Sequence, residues 1–158
     1  MNTSSSASKT IAVVRVLTAV FFLLFGEYKV TGPGFAHGGF QTYLQEYIST
    51  TAVGFYRPFL SGVILPHAVF FGYMAGVVEL VIGISFLFGL WVRAGSILGV
   101  LWLTNLTLCT WWGAGHGVPI WRYFGAELDH LPLLLLCVVF YGADAGRVWG
   151  LDGLRRLG

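Results

Sequence analysis

Four ionisable residues lie inside or at the edge of long apolar stretches of this chain, and they are its candidates for chemistry. They are Glu27, Lys29, Glu79 and His130. At 1.5 Å per helical residue, Glu79 lies about 20 Å from the C-terminal end of its predicted helix, and Glu27 and Lys29 lie about 24 and 27 Å along theirs. We therefore expect these three residues to share one polar layer, with His130 close to the same level.

In an apolar interior this set of groups can bind a ligand and exchange protons with it. Lys29 or His130 can donate hydrogen bonds, and Glu79 is the candidate proton relay. The alternative is that Lys29 and a glutamate form a structural ion pair, since paired charges inside membranes also fix the packing of helices. The sequence supports both interpretations.

The composition places these residues in a membrane protein. Of 158 residues, 56% are hydrophobic and only 10% are charged, whereas soluble domains carry about 25% charged residues. The net charge is +2, and no Lys/Arg-rich tract exists, so we predict no nucleic-acid partner. At this length the chain forms one compact bundle.

Four apolar stretches predict an all-α fold, an integral membrane four-helix bundle. The predicted spans are residues 10–30, 66–92, 94–112 and 128–148, close to the ~20 residues that a bilayer core requires. Together they make a single domain over residues 10–154. A flexible tail at residues 1–9 and a basic tail at residues 155–158 flank this domain.

Residues 31–65 are predicted to lie at the membrane surface, in the first outer loop. Apolar and aromatic residues recur there at helical spacing: Phe40, Tyr43, Leu44, Tyr47 and Ile48. This spacing predicts an amphipathic helix that lies at the interface. Residues 59–65 are expected to form a short re-entrant or interfacial turn before the second span.

The basic residues predict the orientation of the bundle. Lys9, Arg93 and Arg147 lie beside span ends on one side, whereas the opposite side has its basic residues spread over much longer loops. Basic residues in short loops mark the cytoplasmic side. We therefore expect both termini in the cytoplasm, in the plasma (inner) membrane of a bacterium or archaeon.

Other polar or reactive residues are assigned structural roles. Arg15 and Asp144 lie near the predicted cytoplasmic boundary, and Asn105 is expected to hydrogen-bond to another helix. Cys109 and Cys137 lie in apolar runs without a CxxC motif, so we interpret them as small buried hydrophobes. A disulfide between them is the alternative.

Two histidines lie in the predicted outer loops. His37 and His116 are each surrounded by glycines. A metal site needs more ligands at defined spacing, so we predict none, and we expect no covalently bound cofactor.

Several motifs of the chain, taken in order, resemble those of the DoxX/DoxD family of small four-helix membrane proteins. Arg15 lies early in the first span, which ends in Gly26-x-x-Lys29. The second span contains Glu79-x-x-x-Gly83, followed by Leu87-x-Gly89-x-x-x-Arg93. The strongest likeness is the ending Gly142-x-x-x-Gly146-Arg147-x-Trp149-Gly150-Leu151-Asp152. The resemblance covers residues 15–154.

The resemblance implies a redox role. DoxD-type members resemble the membrane subunit of thiosulfate:quinone oxidoreductase, and other relatives act in thiol-redox complexes. By this likeness the polar layer of Glu27, Lys29, Glu79 and His130 is a candidate quinone pocket. The chain itself has no self-sufficient catalytic motif, so it is at most one subunit of a quinone-linked oxidoreductase. Its expected partners are membrane or periplasmic subunits of that complex, and membrane lipids.

Two other functions fit the same sequence. One is a non-catalytic accessory subunit that stabilises a larger respiratory or photosynthetic membrane complex. The other is a small receptor or transporter-like bundle, which would need a continuous polar path that so few polar residues hardly supply.

Overall fold

The computed structural model describes residues 3–32, 34–111 and 130–154, and in this part of the chain every element is helical. The α-helices are α1 (Thr3–Thr31), α2 (Phe40–Ser49), α3 (Arg57–Phe59), α4 (Ala68–Phe88), α5 (Val92–Cys109), α6 (His130–Gly142) and α7 (Leu151–Leu154). Short π-helical turns at Phe35–Gly39 and Leu60–Ile64, and a 3₁₀ turn at Leu65–His67, join them. The predicted all-α fold is confirmed.

Three of the described helical segments are long and apolar enough to cross a membrane. They are Ser6–Thr31, Arg57–Phe88 and Val92–Cys109, and α6 is a shorter apolar helix. The chain is therefore a multi-pass membrane protein. The predicted start of the fourth span at 128–129, the end of the third at Trp112, His116 and the basic tail at 155–158 lie outside the described residues.

The helices differ from the predicted boundaries at three places. α1 begins at Thr3, so the described part of the predicted flexible tail is helical. Residues 59–65 form no separate re-entrant or interfacial turn, because helical structure continues from Arg57 into α4. Pro58 and Pro66 lie in the first turns of α3 and of the 3₁₀ helix, where a missing backbone N–H breaks no helical hydrogen bond. The fourth predicted span ends at Gly142 instead of 148, because Asp144 has a φ of 48°, which a right-handed helix cannot continue.

Glycines allow α1 and α4 to pack closely. A Cβ on Gly26 would lie 2.8 Å from the Gly76 carbonyl oxygen, and a Cβ on Gly76 would lie 2.9 Å from Lys29 Cβ. The two backbones therefore nearly touch at this point. Since Glu79 follows Gly76 by one helical turn, this close approach brings Lys29 beside Glu79.

A ladder of rings fills the core between these helices and α6. Phe22 packs edge-on against Phe86 with centroids 6.0 Å apart, and Phe86 packs edge-on against Phe140 at 5.3 Å. All three side chains are buried. Because edge-to-face pairs add to the energy of burial, this ladder ties α1, α4 and α6 into one bundle.

Arg15 closes one end of the bundle. Its guanidinium is fully buried and donates to the carbonyl oxygens of Ala145 at 2.6 Å and Trp149 at 3.0 Å. Nearby, the Asp152 carboxylate accepts from the backbone N–H groups of Trp91 at 2.7 Å and Val92 at 2.9 Å, which caps the start of α5. The C-terminal segment is thereby fastened to α1 and to the α4–α5 turn. We call Arg15, Gly89 and residues 145–152 the Arg15 end.

Candidate functional site

An ion pair between α1 and α4 forms the centre of the candidate site. Lys29 Nζ lies 2.5 Å from Glu79 Oε1 and 2.7 Å from Oε2. The Glu79 side chain is 4% exposed and that of Lys29 is 19% exposed. A nearly buried carboxylate therefore holds an ammonium group that is still accessible on one side.

The third member of this polar group comes from α5. Trp102 Nε1 donates to Glu79 Oε1 over 3.2 Å. The Lys29 ammonium also lies 5.7 Å from the centroid of the Phe35 ring, a distance at which cation–π attraction acts. Lys29, Glu79 and Trp102 thus join three helices through side-chain contacts, and we call them the ion-pair group.

Lys29 and Trp102 line a cavity of about 720 Å³. This volume lies in the range of sites that hold small organic ligands. Its walls are rich in aromatic rings: Phe25, Tyr28, Phe35, Phe40, Tyr43, Tyr47, Tyr56, Phe59, Phe71 and Trp102. The cavity is therefore suited to a flat, mostly apolar ligand that has a few polar atoms.

A second polar group lies on the same wall. Asn105 lines the cavity one helical turn beyond Trp102, and the Tyr56 hydroxyl donates a hydrogen bond to Asn105 Oδ1. Burial, followed by a smaller contribution from Cys109, raises the pKa of the Tyr56 phenol. The hydroxyl therefore keeps its proton and remains a donor.

The cavity is open along one side. Phe25, Tyr28, Tyr43, Phe59 and Leu101 line it and are exposed at the same time. Leu101 lies about 12–14 Å from either end of α5, which is close to the middle of a membrane-spanning helix. The exposed part of the lining therefore reaches the middle of α5, a helix long and apolar enough to cross a membrane.

A comparison with known protein families matches residues 10–115 to DoxX, which is more than half of the chain. The chain belongs to the DoxX family. The DoxX resemblance seen in the sequence is thereby confirmed. No curated protein matches the chain, and no solved structure does. The matched stretch contains Lys29, Glu79 and Trp102, so the ion-pair group belongs to the DoxX part of the chain.

The structure brings together three of the four residues of the predicted pocket. Lys29 and His130 line the cavity, and Glu79 bonds to Lys29. Glu27 lies apart from them: it is exposed, and its carboxylate accepts a hydrogen bond from Thr31 Oγ1 at 2.7 Å. The reason is rotational, since residues two apart on a helix differ by about 200°. When Lys29 faces α4, Glu27 faces outward.

Three residues with predicted structural roles have these partners in the DoxX chain. Arg15 donates to backbone carbonyls of residues 145–149. The Asp144 carboxylate lies 2.5 Å from Arg147 Nε and 3.5 Å from Arg93 Nε. Asn105 bonds to Tyr56, which belongs to the segment before α3 and to no membrane span. The partner of Asn105 therefore lies in the turn that leads into α3, whereas we expected a partner on another helix.

Trp102 and Tyr56 belong to the site and were not predicted from the sequence. Trp102 precedes Asn105 by three residues, so the two share one helix face, and this spacing was the available signal. Tyr56 has no comparable signal, because its position depends on how the loop after α2 folds over the bundle.

The cysteines and the described loop histidine lie outside the ion-pair group. Cys109 and Cys137 are both buried free thiols. His37 Nε2 lies 3.1 Å from the Tyr73 hydroxyl. Among residues 3–32, 34–111 and 130–154, no three His, Cys, Asp or Glu side chains are placed to hold a metal ion.

Proposed function

We propose that this DoxX-family chain is the membrane subunit of an electron-transfer complex and that its cavity binds the head group of a quinone. One observation carries the proposal: Lys29, paired with the buried Glu79 carboxylate behind it, lines an aromatic cavity that is also lined by the exposed side chain of Leu101, near the middle of α5. A quinone has a flat ring, carbonyl oxygens that need donors, and an apolar tail. Each of these parts has a counterpart in the cavity.

The residues of the ion-pair group have distinct roles in this proposal. Lys29 supplies a charged hydrogen-bond donor for one carbonyl oxygen, and such bonds are stronger than neutral ones. Glu79 holds the ammonium in place through both carboxylate oxygens and passes protons to the bound group. Trp102 fixes the Glu79 carboxylate from the α5 side.

A bound quinone takes up two electrons and two protons to become a quinol. In this proposal the electrons come from a partner subunit that oxidises a sulfur-containing donor, as the DoxD-type likeness implies. The chain's own contribution is to bind the head group, shield it within aromatic walls, and hold a proton at Glu79. We further propose that both termini lie in the cytoplasm, so that the cavity lies in the periplasmic half of the membrane.

A second candidate function is that of an accessory subunit without chemistry. The observation that favours it is that both carboxylate oxygens of Glu79 bond to Lys29, as in an ion pair that only holds α1 against α4. In this case a lipid fills the cavity, and the chain stabilises a larger respiratory or photosynthetic complex.

The experiment is a purification of the tagged chain from its native membrane in a mild detergent. Bound quinone and co-purifying chains are then quantified by mass spectrometry. We expect about one quinone per chain, together with a redox partner. Lys29→Met should lose most of the bound quinone, because it removes the charged hydrogen-bond donor from the cavity wall. It should keep the partner subunit, because the changed residue lines the cavity.

The matched control is Lys9→Met, the same substitution at an exposed position of the same helix. It should retain quinone and partner alike. Recovery of an intact complex that contains lipid and no quinone would contradict the proposal and support the accessory role.

A further inference from the structure

Tyr56 and Asn105 form a second polar pair in the cavity wall. Neither residue has a role in the quinone site as proposed above. Both residues line the cavity. Asn105 lies one turn beyond Trp102 on α5, so the two share one helix face and are displaced from each other by about 4.5 Å along the axis of α5. The cavity therefore presents polar atoms at two separate levels.

The contact with Tyr56 determines what Asn105 offers to a ligand. An asparagine amide has an oxygen that accepts and a nitrogen that donates. The Tyr56 hydroxyl occupies the oxygen, Oδ1. Within the described ranges of the chain, no acceptor engages Nδ2. Nδ2 is thus a donor without a described partner in a side chain that lines the cavity, and the Tyr56 contact fixes which end of the amide carries it.

We propose that Asn105 donates the second hydrogen bond to a ring that carries carbonyl oxygens on opposite edges, a 1,4-quinone, and that Tyr56 positions Asn105 for this bond. The inference rests on the proposed function, in which Lys29 donates to the first carbonyl. It narrows the ligand class from quinones in general to 1,4-quinones. Tyr56 acts only through Asn105 and is a positioning residue.

The test compares two ligands that differ by one carbonyl group, 9,10-anthraquinone and anthrone. Neither ligand has an unsubstituted quinone ring carbon to which the Cys109 thiol could add, so covalent attachment does not disturb the measurement. The full chain is placed in lipid nanodiscs, and dissociation constants are measured from partitioning between protein-containing and empty discs. Wild type should bind anthraquinone more tightly than anthrone, by about fivefold for one additional hydrogen bond.

Asn105→Leu should remove this preference. Anthraquinone affinity should fall by about fivefold, and anthrone affinity should stay within about twofold. Asn105→Asp keeps the volume and the oxygen that Tyr56 contacts but lacks the amide donor. It should remove the preference in the same way, which covers the case in which the leucine variant folds poorly.

Tyr56→Phe should reduce the preference by about twofold to threefold, because the amide is still present and is no longer held in place. In the Asn105→Leu background the same substitution should have no further effect, since the two residues act as one unit.

Two results would overturn the inference in different ways. In the first, wild type binds anthraquinone, and the Asn105 variants change the affinities for both ligands by the same factor or change neither. Asn105 is then not the second donor, and the proposed quinone site stands. If wild type binds neither ligand, the proposed function fails together with the inference.

Discussion

Two basic side chains, the buried Arg15 and the partly buried Lys29, lie in two different kinds of surroundings. Arg15 has no exposed surface, and the partners of its guanidinium are backbone carbonyls. Lys29 keeps 19% of its side chain exposed, and its partner is the Glu79 carboxylate beside a cavity. One charge is enclosed by main chain, and the other lies where a small molecule can reach it.

This difference separates an architectural charge from a candidate site. The backbone at residues 145–149 depends on Arg15 for hydrogen bonds. Replacing Arg15 leaves the buried Ala145 carbonyl and the part-buried Trp149 carbonyl without this donor, and each loss costs free energy. The backbone near Lys29 has no such dependence, because the ion-pair group is built from side chains. Lys29 should therefore contribute to ligand binding in addition to balancing the charge of the buried Glu79 carboxylate.

The largest expected effect is that of Arg15→Met. Because the carbonyl groups of Ala145 and Trp149 lose their donor, we expect the free energy of unfolding to fall by about 3 kcal/mol or more. Thermal unfolding in detergent measures this change. Arg93→Met is the matched control at a half-exposed arginine, and it should change stability by less than about 1 kcal/mol. Equal stability of the two variants would contradict the structural role of Arg15.

A smaller loss is expected for Gly89→Ala at the same end. Gly89 has a φ of +61°, and an added Cβ would lie 2.5 Å from Gly150 Cα. Left-handed strain and this clash together should lower stability by about 2 kcal/mol. Gly142→Ala is the control, because nothing lies within 4 Å of its added Cβ. A tolerated Gly89→Ala would show that the Arg15 end packs less tightly than described.

A change at the ion-pair group should affect binding more than stability. Glu79→Gln removes the negative charge but keeps a side chain of the same shape, whose amide oxygen still accepts a hydrogen bond from the partly exposed Lys29, so we expect a stability loss of about 1–2 kcal/mol. Quinone affinity should fall by about tenfold, because Lys29 is no longer held by both carboxylate oxygens. Glu27→Gln, the same change at an exposed position, should alter neither property. Unchanged affinity in Glu79→Gln would assign the pair to architecture, as for Arg15.

The smallest effect on stability is expected at the open side of the cavity. Leu101 is 64% exposed, so Leu101→Trp should change the free energy of unfolding by less than about 0.5 kcal/mol. The larger side chain narrows the opening. It should therefore lower the affinity for a quinone with a long isoprenoid tail more than the affinity for a quinone without a tail. Ile97→Trp, also exposed on α5, should leave the ratio of the two affinities unchanged. An unchanged ratio in Leu101→Trp would show that the tail leaves by another route.

The sequence predicted the parts of the fold that depend on apolar length and composition. The helical stretches around Glu79 and Asn105 follow from their uninterrupted apolar runs, and counting residues by depth placed Glu79 and Lys29 at one level. The amphipathic spacing at residues 40–48 predicted α2, which the structure has at Phe40–Ser49. Its position at the membrane interface stays a prediction.

The parts that the sequence did not predict depend on rotation and on distant packing. Glu27 and Lys29 were predicted to share one pocket because they lie at a similar depth. Their rotation of about 200° around the helix axis places them on different faces, and helical geometry alone could have shown this. The contacts of Arg15 with residues 145–149 join segments that are 130 or more positions apart, and no local pattern encodes them. Tyr56 reaches Asn105 from 49 positions away, through a loop whose path depends on the bundle beneath it.

The most direct test of this account is the affinity of 9,10-anthraquinone for the full chain in nanodiscs, measured on wild type, Lys29→Met and Lys9→Met after thermal unfolding has shown all three to be folded. The account predicts that Lys29→Met weakens binding by about tenfold or more and that Lys9→Met binds as wild type does. Equal affinity in all three proteins would contradict it, because the ion pair would then serve, like Arg15, only to hold the helices together.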